Sequence, residues 1–377
     1  MDYARIDAFI DHLVETSTPE RTAWNMEKIR EGKPASWNYI DGCMLTALTE
    51  MSRITGQERY VTFVGQCIDH FVGEDGSIRT FDPTAYNLDD INEGRVLFAL
   101  YERTGKPQYR LAAEKLARQL DGHPRTAEGN FWHKAIYPNQ VWLDGIYMAQ
   151  PFRALYARHF GGGDYADIVK QISMVHDRMR DPEKGLYYHG YDASRAAFWA
   201  DPETGCSRNF WLRSLGWFAV ALADLLDILP EGQDRDKLAA IFSDLMASMA
   251  RYADGETGMY WQVPDQVGRE GNYLETSGSA MMAYAMLKGA RLGQLDKEYA
   301  AKGKKTFDGI VKKYLTFTES GKLNLGGICL VAGLGPQNNR RRDGTYEYYI
   351  SEPVVMNDAK GVAPFVLAYT EVKRLGA

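Results

Sequence analysis

The sequence predicts an all-α protein in which the whole chain, residues 1–377, folds as one (α/α)6 barrel, a closed toroid of six inner and six outer helices. Three observations carry this expectation. Helical periods recur along the chain. They come in two kinds. The two kinds alternate, and no linker rich in Pro, Gly or Ser interrupts them.

The first kind has one narrow apolar stripe. In 236–252, Leu238, Ile241, Phe242, Leu245 and Met249 recur at i, i+3, i+4, i+7 and i+11. In 164–180, Ile168, Ile172, Val175 and Met179 do the same, and 5–16, 58–71, 107–120 and 297–314 follow suit. Such helices bury one face and wet the other. The second kind is apolar nearly all round, as in 211–229 (WLRSLGWFAVALADLLDIL), 276–290 (TSGSAMMAYAMLKGA) and 358–370 (DAKGVAPFVLAYT); 42–54, 90–104 and 141–157 join them. Helices of this sort are buried on several sides. Strict alternation of the two kinds suits a ring of helical hairpins. An open α-solenoid is the alternative, but a solenoid shows sequence similarity between its repeats, which these units lack. The stretch between Leu315 and Pro353 is rich in Gly, Thr and Tyr and is expected to hold loops and short strands.

Composition narrows the function. Charged residues make up 25% and apolar ones 45%, as in an ordinary globular protein. A net charge of −6 argues against nucleic acid or a membrane surface as partner. Arg340, Arg341 and Arg342 form the one basic run, too short for a patch. Aromatics reach 12%, which fits a carbohydrate cleft or a large helical core. The N-terminal stretch lacks the basic flank and apolar core of a signal peptide, and no apolar run is long enough to span a membrane. Cys43, Cys67, Cys206 and Cys329 show no CxxC spacing, so reduced thiols in a cytoplasmic protein are expected.

In an alternating ring all inner helices run the same way, so their N-termini gather at one mouth. WNYIDG, YNLDD, VWLDG, NFWLRS, YLETSGS and NDAKG open the six. Aromatics, carboxylates, hydroxyls and Arg213 therefore converge. Asp89, Asp90 and Asp358, taken singly, read as helix caps. Asp144 does not, because Trp142, Leu143, Ile146, Tyr147 and Met148 surround it and burying a carboxylate is costly. Trp211 and Trp217, six apart, cannot share one helical stripe, so one is a candidate platform for a sugar ring. Arg213 between them calls for a carboxylate partner, from the protein or from a substrate. His133 and His189 each sit among aromatics. No HExxH, GxSxG or phosphate-loop motif occurs, and DDINE lacks a second metal motif; neither a metal nor a cofactor is expected.

Five separated motifs, WLDGIYMAQPF, YHGYDAS, FWLRSLGWF, GNYLETSGSAM and RDGTYEYYISEPVVMNDAKGVAPF, occur in order between about residues 35 and 370. Together they resemble the unsaturated rhamnogalacturonyl hydrolases of glycoside hydrolase family 105. The resemblance implies an (α/α)6 barrel and a small oligosaccharide substrate, an unsaturated uronyl disaccharide. It implies removal of a 4,5-unsaturated galacturonyl residue from the non-reducing end of pectin-lyase products by hydration of the C4–C5 double bond. Asp144 is then the acid, with Asp89 beside it. Trp211, Arg213, Trp217 and His189 line the pocket with Met148, His133 and Tyr39, and Arg213 is the candidate for the uronate carboxylate. An ordinary Asp, with a pKa of ~3.9, is ionised at neutral pH. Asp144 keeps its proton there only if burial and Asp89 together outweigh the helix dipole, at about 1.4 kcal/mol per tenfold change in proton affinity. An unsaturated glucuronyl hydrolase acting on another lyase-treated polysaccharide, a conventional two-carboxylate glycosidase and a non-catalytic sugar-binding toroid are the alternatives.

Overall fold

The computed structural model describes residues 3–162, 164–319 and 321–376. Five inner helices are Tyr39–Thr55, Leu143–Phe160, Leu212–Ile228, Thr276–Arg291 and Ala359–Arg374. The second inner position is taken by a broken element, Asp89–Asn92, a 3-10 turn Glu93–Arg95 and Val96–Thr104. Each inner element packs on the next, and Ala359–Arg374 packs back on Tyr39–Thr55, so the ring is closed. The outer helices are Ala4–Glu15, Glu58–Phe71, Pro107–Asp121, Tyr165–Met179, Gln233–Ala250 and Glu298–Tyr314. Ala4–Glu15 is tied to the last inner helix, where Tyr369 Oη donates to Asp7 Oδ2 at 3.2 Å and Lys373 Nζ pairs with Asp7 at 3.1 Å.

The two helix kinds do what their patterns predict. The outer helix Gln233–Ala250 buries Leu238, Ile241, Phe242, Leu245 and Met249. The inner helix Leu212–Ile228 buries every residue from Leu212 to Leu226. Inner helices also touch closely. A Cβ built on Gly278 would lie 2.4 Å from Leu212 Cγ, and one on Gly216 would lie 2.6 Å from Met281 Sδ. Glycine at these points lets two inner helices approach backbone to backbone.

The second inner position is helical through the 90–104 segment, as expected, and its backbone tightens to a 3-10 turn only at Glu93–Arg95. The turn falls where the helix is crowded around a glycine. A Cβ on Gly94 would lie 2.3 Å from Leu116 Cδ1 and 2.9 Å from Phe152 Cε2, so the backbone is pressed against two neighbouring helices. Glu93 and Arg95 are buried either side of it, and the tighter 3-10 turn accommodates both.

Short antiparallel pairs decorate the mouth. Gln140–Trp142 pairs with Gly190–Asp192, and Tyr260–Trp261 pairs with Leu274–Glu275. Leu315–Phe317 pairs with Leu323–Leu325, and Ile328–Cys329 with Val354–Val355. Most of the last two pairs falls in the stretch expected to hold short strands; the first two pairs were not expected. Among the described residues no helix is long and apolar enough to cross a membrane.

Candidate active site

Backbone hydrogen bonds knit three loops around the start of Leu143–Phe160. Leu88 N–H donates to His133 O at 3.2 Å, His133 N–H to Gln140 O at 2.7 Å, and Leu143 N–H to His189 O at 3.1 Å. The register of the short pair, Trp142 opposite Gly190, fixes the rest. Gly190 is needed there, because a Cβ would lie 3.2 Å from Trp142 Cδ1 and 2.4 Å from Leu334 Cδ1. Asp89, His133, Trp142, Asp144 and His189, distant in sequence, are thereby drawn to one spot.

Trp142 is the centre of an aromatic stack. His133 lies parallel to it with ring centroids 4.2 Å apart, and Tyr137 lies 4.8 Å away. His189 meets its edge at 5.5 Å. His189 is fully buried, and its Nδ1 is hydrogen-bonded to Tyr349 Oη at 2.8 Å. Its Nε2 is 3.2 Å from Asp144 Oδ2. That contact is within ion-pair distance but out of line for a hydrogen bond, since both atoms are buried without a hydrogen-bond partner among the described residues. Asp144 thus sits in the first turn of its helix with one buried oxygen uncommitted.

Asp89 is held differently. Its Oδ2 is 2.6 Å from Lys134 Nζ, and its Oδ1 is 3.7 Å from His133 Nε2. Burial pushes this carboxyl up, but Lys134 and His133 together outweigh it and hold Asp89 below the ordinary carboxylate range. Asp89 does not cap its helix; instead its own N–H is received by Asn87 Oδ1 at 3.1 Å. Burial pushes His133 down to about 4, so its imidazole is neutral near pH 7. Asp90, next along, is pushed up to about 7 by burial and by the charge of Asp89. Asp358 caps as expected, accepting from Lys360 N–H at 3.0 Å, and it pairs with Lys360 Nζ at 2.9 Å.

The remaining expected residues occupy distinct places. Arg213 is only 1% exposed, and no protein carboxylate among the described residues lies within ion-pair distance. Its guanidinium donates instead to Cys329 O at 2.5 Å and to Leu330 O and Ser277 Oγ at 3.4 Å, and lies over the Trp211 ring. Ser277 Oγ in turn donates to Glu275 Oε1 at 2.7 Å. Trp211 packs with Tyr346, Tyr348 and Tyr349, beside His189 at 4.8 Å. Trp217 stacks on Tyr147 at 4.6 Å in the main core, where Met148 also lies. The two tryptophans therefore face different surroundings, as their spacing implied. Both are nearly fully buried. Tyr39 opens the first inner helix, and burial raises its hydroxyl well above the ordinary range; Glu27, Asp89 and Asp358 add to this and Arg213 opposes it.

Lys134 and Tyr349 were not singled out from sequence. Lys134 adjoins His133 in FWHK, and Tyr349 lies in the quoted YEYYISEP, but neither residue type announces a role without its tertiary neighbour. Among the described residues no group of three or more His, Cys, Asp or Glu is arranged to hold a metal.

The model of Glycosyl Hydrolase Family 88 matches residues 11–376, nearly the whole chain. The chain belongs to this glycoside hydrolase family. A family 105 glycoside hydrolase of C. acetobutylicum has a similar structure: 40% identity, a TM-score of 0.87, and coverage of 90% of this chain and 94% of that one. The resemblance to family 105 read from the five motifs is therefore borne out, as is the all-α toroid. Protein Atu3128 of Agrobacterium fabrum is 42% identical over 230 residues, 59% of this chain and 97% of its own length. The unsaturated rhamnogalacturonyl hydrolase YesR of Bacillus subtilis is 27% identical over 273 residues, 68% of this chain and 72% of its own length.

Proposed function

We propose that this family member removes a 4,5-unsaturated galacturonyl residue from the non-reducing end of rhamnogalacturonan-lyase products. Asp144 delivers a proton to C4 of the enol ether. Water adds at C5, giving up a proton to the Asp144 carboxylate just formed. The resulting hemiketal opens, and the bond to the leaving sugar breaks. Asp89, kept ionised by Lys134, faces the positive charge that develops at C5. Tyr349 Oη, hydrogen-bonded to His189 Nδ1, orients the imidazole so that Nε2 lies 3.2 Å from Asp144 Oδ2, beside the reacting carboxyl.

The observation that carries this reading is the difference between the two carboxylates at one mouth. One is tied to a lysine; the other has a buried oxygen that accepts no hydrogen bond among the described residues, with His189 Nε2 3.2 Å away. Two acids with different partners suit a division between proton donor and electrostatic support. The named activity of YesR supports the substrate class. The four cysteines, all buried and unpaired, are consistent with a cytoplasmic enzyme that receives small oligosaccharides.

The test is a panel of unsaturated disaccharides, with galacturonyl and glucuronyl non-reducing ends, followed by loss of the double bond's ultraviolet absorbance. Fastest loss is expected with the galacturonyl–rhamnose member, and no product from a saturated aryl glycoside. Turnover of the saturated glycoside would overturn the hydration chemistry in favour of a two-carboxylate glycosidase.

A further inference from the structure

The three consecutive arginines, too short for a surface patch, have unequal surroundings. Arg341 is paired with Glu352 at 2.5 Å and donates to Ser351 Oγ at 3.1 Å. Arg340 donates to Gln337 Oε1 at 3.0 Å and lies over the Phe198 ring. Arg342 is half-buried, yet among the described residues its guanidinium has neither a carboxylate within ion-pair distance nor a hydrogen-bond acceptor. Its neighbour Asp343 is engaged elsewhere, accepting from Thr345 N–H at 3.0 Å and Thr345 Oγ1 at 2.7 Å.

Arg342 stands beside the catalytic mouth. A Cβ placed on Gly333 would lie 3.4 Å from Arg342 Nη1 and 3.5 Å from Cζ3 of Trp142, so guanidinium and indole are neighbours across that glycine. Trp142 is the ring on which His133 stacks, two residues before Asp144. The loop is fastened, not loose: Gly335 N–H donates to Arg342 O at 2.8 Å, Arg342 N–H to Asn339 O at 3.3 Å, and Gly333 N–H to Tyr348 Oη at 2.9 Å. A half-buried, unpaired guanidinium at a mouth where helix N-termini converge is suited to an anion.

We infer that Arg342 reads an anionic group on the leaving portion of the substrate, a carboxylate or a sulfate ester. The inference rests on the function proposed above. In an enzyme that removes a terminal residue, the reacting sugar takes the deep position at Asp89 and Asp144, and the leaving part extends outward over the rim. Arg342, on a rim loop and more exposed than Arg213, meets that part.

Three substrates separate the outcomes: an unsaturated uronyl–rhamnose disaccharide, the same disaccharide with a sulfate ester on rhamnose, and a tetrasaccharide carrying a further galacturonate. KM and kcat are measured for the wild type, Arg342→Gln and Arg342→Lys. Arg342→Gln should raise KM on the order of ten- to hundredfold for an anionic leaving portion, with kcat, and KM for the disaccharide whose leaving rhamnose is uncharged, little changed. Arg342→Lys should restore part of the loss. Whether the sulfate or the galacturonate substrate suffers identifies the source of the anion. Equal losses on all three substrates, or none on any, overturn the assignment while leaving the proposed reaction intact. A wild type inactive on all three removes the proposed reaction itself, and this inference with it.

Discussion

The two ends of the barrel handle a buried carboxylate in opposite ways. Toward the C-terminal ends of the inner helices, Asp224 accepts from Arg95 Nη2 at 2.6 Å, Tyr284 Oη at 2.8 Å and Lys288 Nζ at 2.9 Å. Burial pushes its carboxyl up, but Lys288 and Arg95 outweigh that and hold it down at about 2. At the other end Asp144 has no such escort. Its nearest cationic candidate, His189 Nε2, lies 3.2 Å away and out of line. Both residues sit on inner helices, and both are mostly buried. A carboxylate whose acceptor capacity is filled by cations is fixed in charge and serves the fold. One left partly unclaimed is free to meet a substrate and serve chemistry.

Substitution at the two positions should therefore fail in different currencies. Asp144→Asn should cut kcat by about 10²–10⁴, with thermal stability close to wild type. Asp224→Ala should leave Arg95 buried without its anion and Lys288 with Asp227 alone, 3.0 Å away, and cost about 3–5 kcal/mol of stability, with activity per folded molecule retained. Denaturant unfolding and initial rates on the same preparations read both. An Asp144→Asn enzyme at full rate, or an Asp224→Ala enzyme of unchanged stability, would break the contrast. The pH dependence sharpens it. Because the folded value of Asp224 lies below its ordinary 3.8, its stabilising contribution is complete above about pH 3.8 and is lost as pH falls through about 2.

Asp89 is an intermediate case, with one lysine where Asp224 has two cations and a phenol. Lys134→Met should remove the main group holding Asp89 ionised and leave burial to raise its carboxyl. The expected result is a loss on the order of tenfold to hundredfold in kcat/KM near neutral pH, with the acidic limb of the pH–rate profile moved upward. Lys134→Arg should recover much of it. A uniform loss at all pH values would mean that Lys134 acts only on the fold.

The ring was legible because burial on one face or on all faces writes itself into the spacing of apolar residues, as in Leu238–Met249 against Leu212–Leu226. The lone acid in VWLDG was legible for a related reason: a charge among apolar residues breaks a pattern. Lys134 and Tyr349 were not, because their importance lies in partners contributed by other segments, Asp89 and His189. Arg213 shows the same limit. Its burial signalled an unmet need, but the groups meeting it are the carbonyls of Cys329 and Leu330, and backbone acceptors leave no trace in residue identity. The 3-10 turn at Glu93–Arg95 was hidden too, since the packing of Leu116 and Phe152 against Gly94 is contributed by other segments.

The smallest effect concerns Asp90, whose carboxyl lies between these extremes. Burial first, and the charge of Asp89 second, push it up to about 7. A carboxyl raised on folding favours the native state fully below its ordinary 3.8, and that contribution is lost as pH rises through about 7. Near neutrality Asp90 therefore exchanges a proton beside Asp89, and its ionisation adds a second negative charge to the mouth. The added charge opposes an anionic substrate, so KM should rise as pH passes about 7 while kcat changes little. Asp90→Asn, isosteric and permanently neutral, should flatten that rise and leave the kcat profile in place, with a difference of only a few-fold at pH 8. A KM inflection unchanged in Asp90→Asn would assign the titration to another group, and would leave the unclaimed oxygen of Asp144 as the mouth's one distinguishing feature.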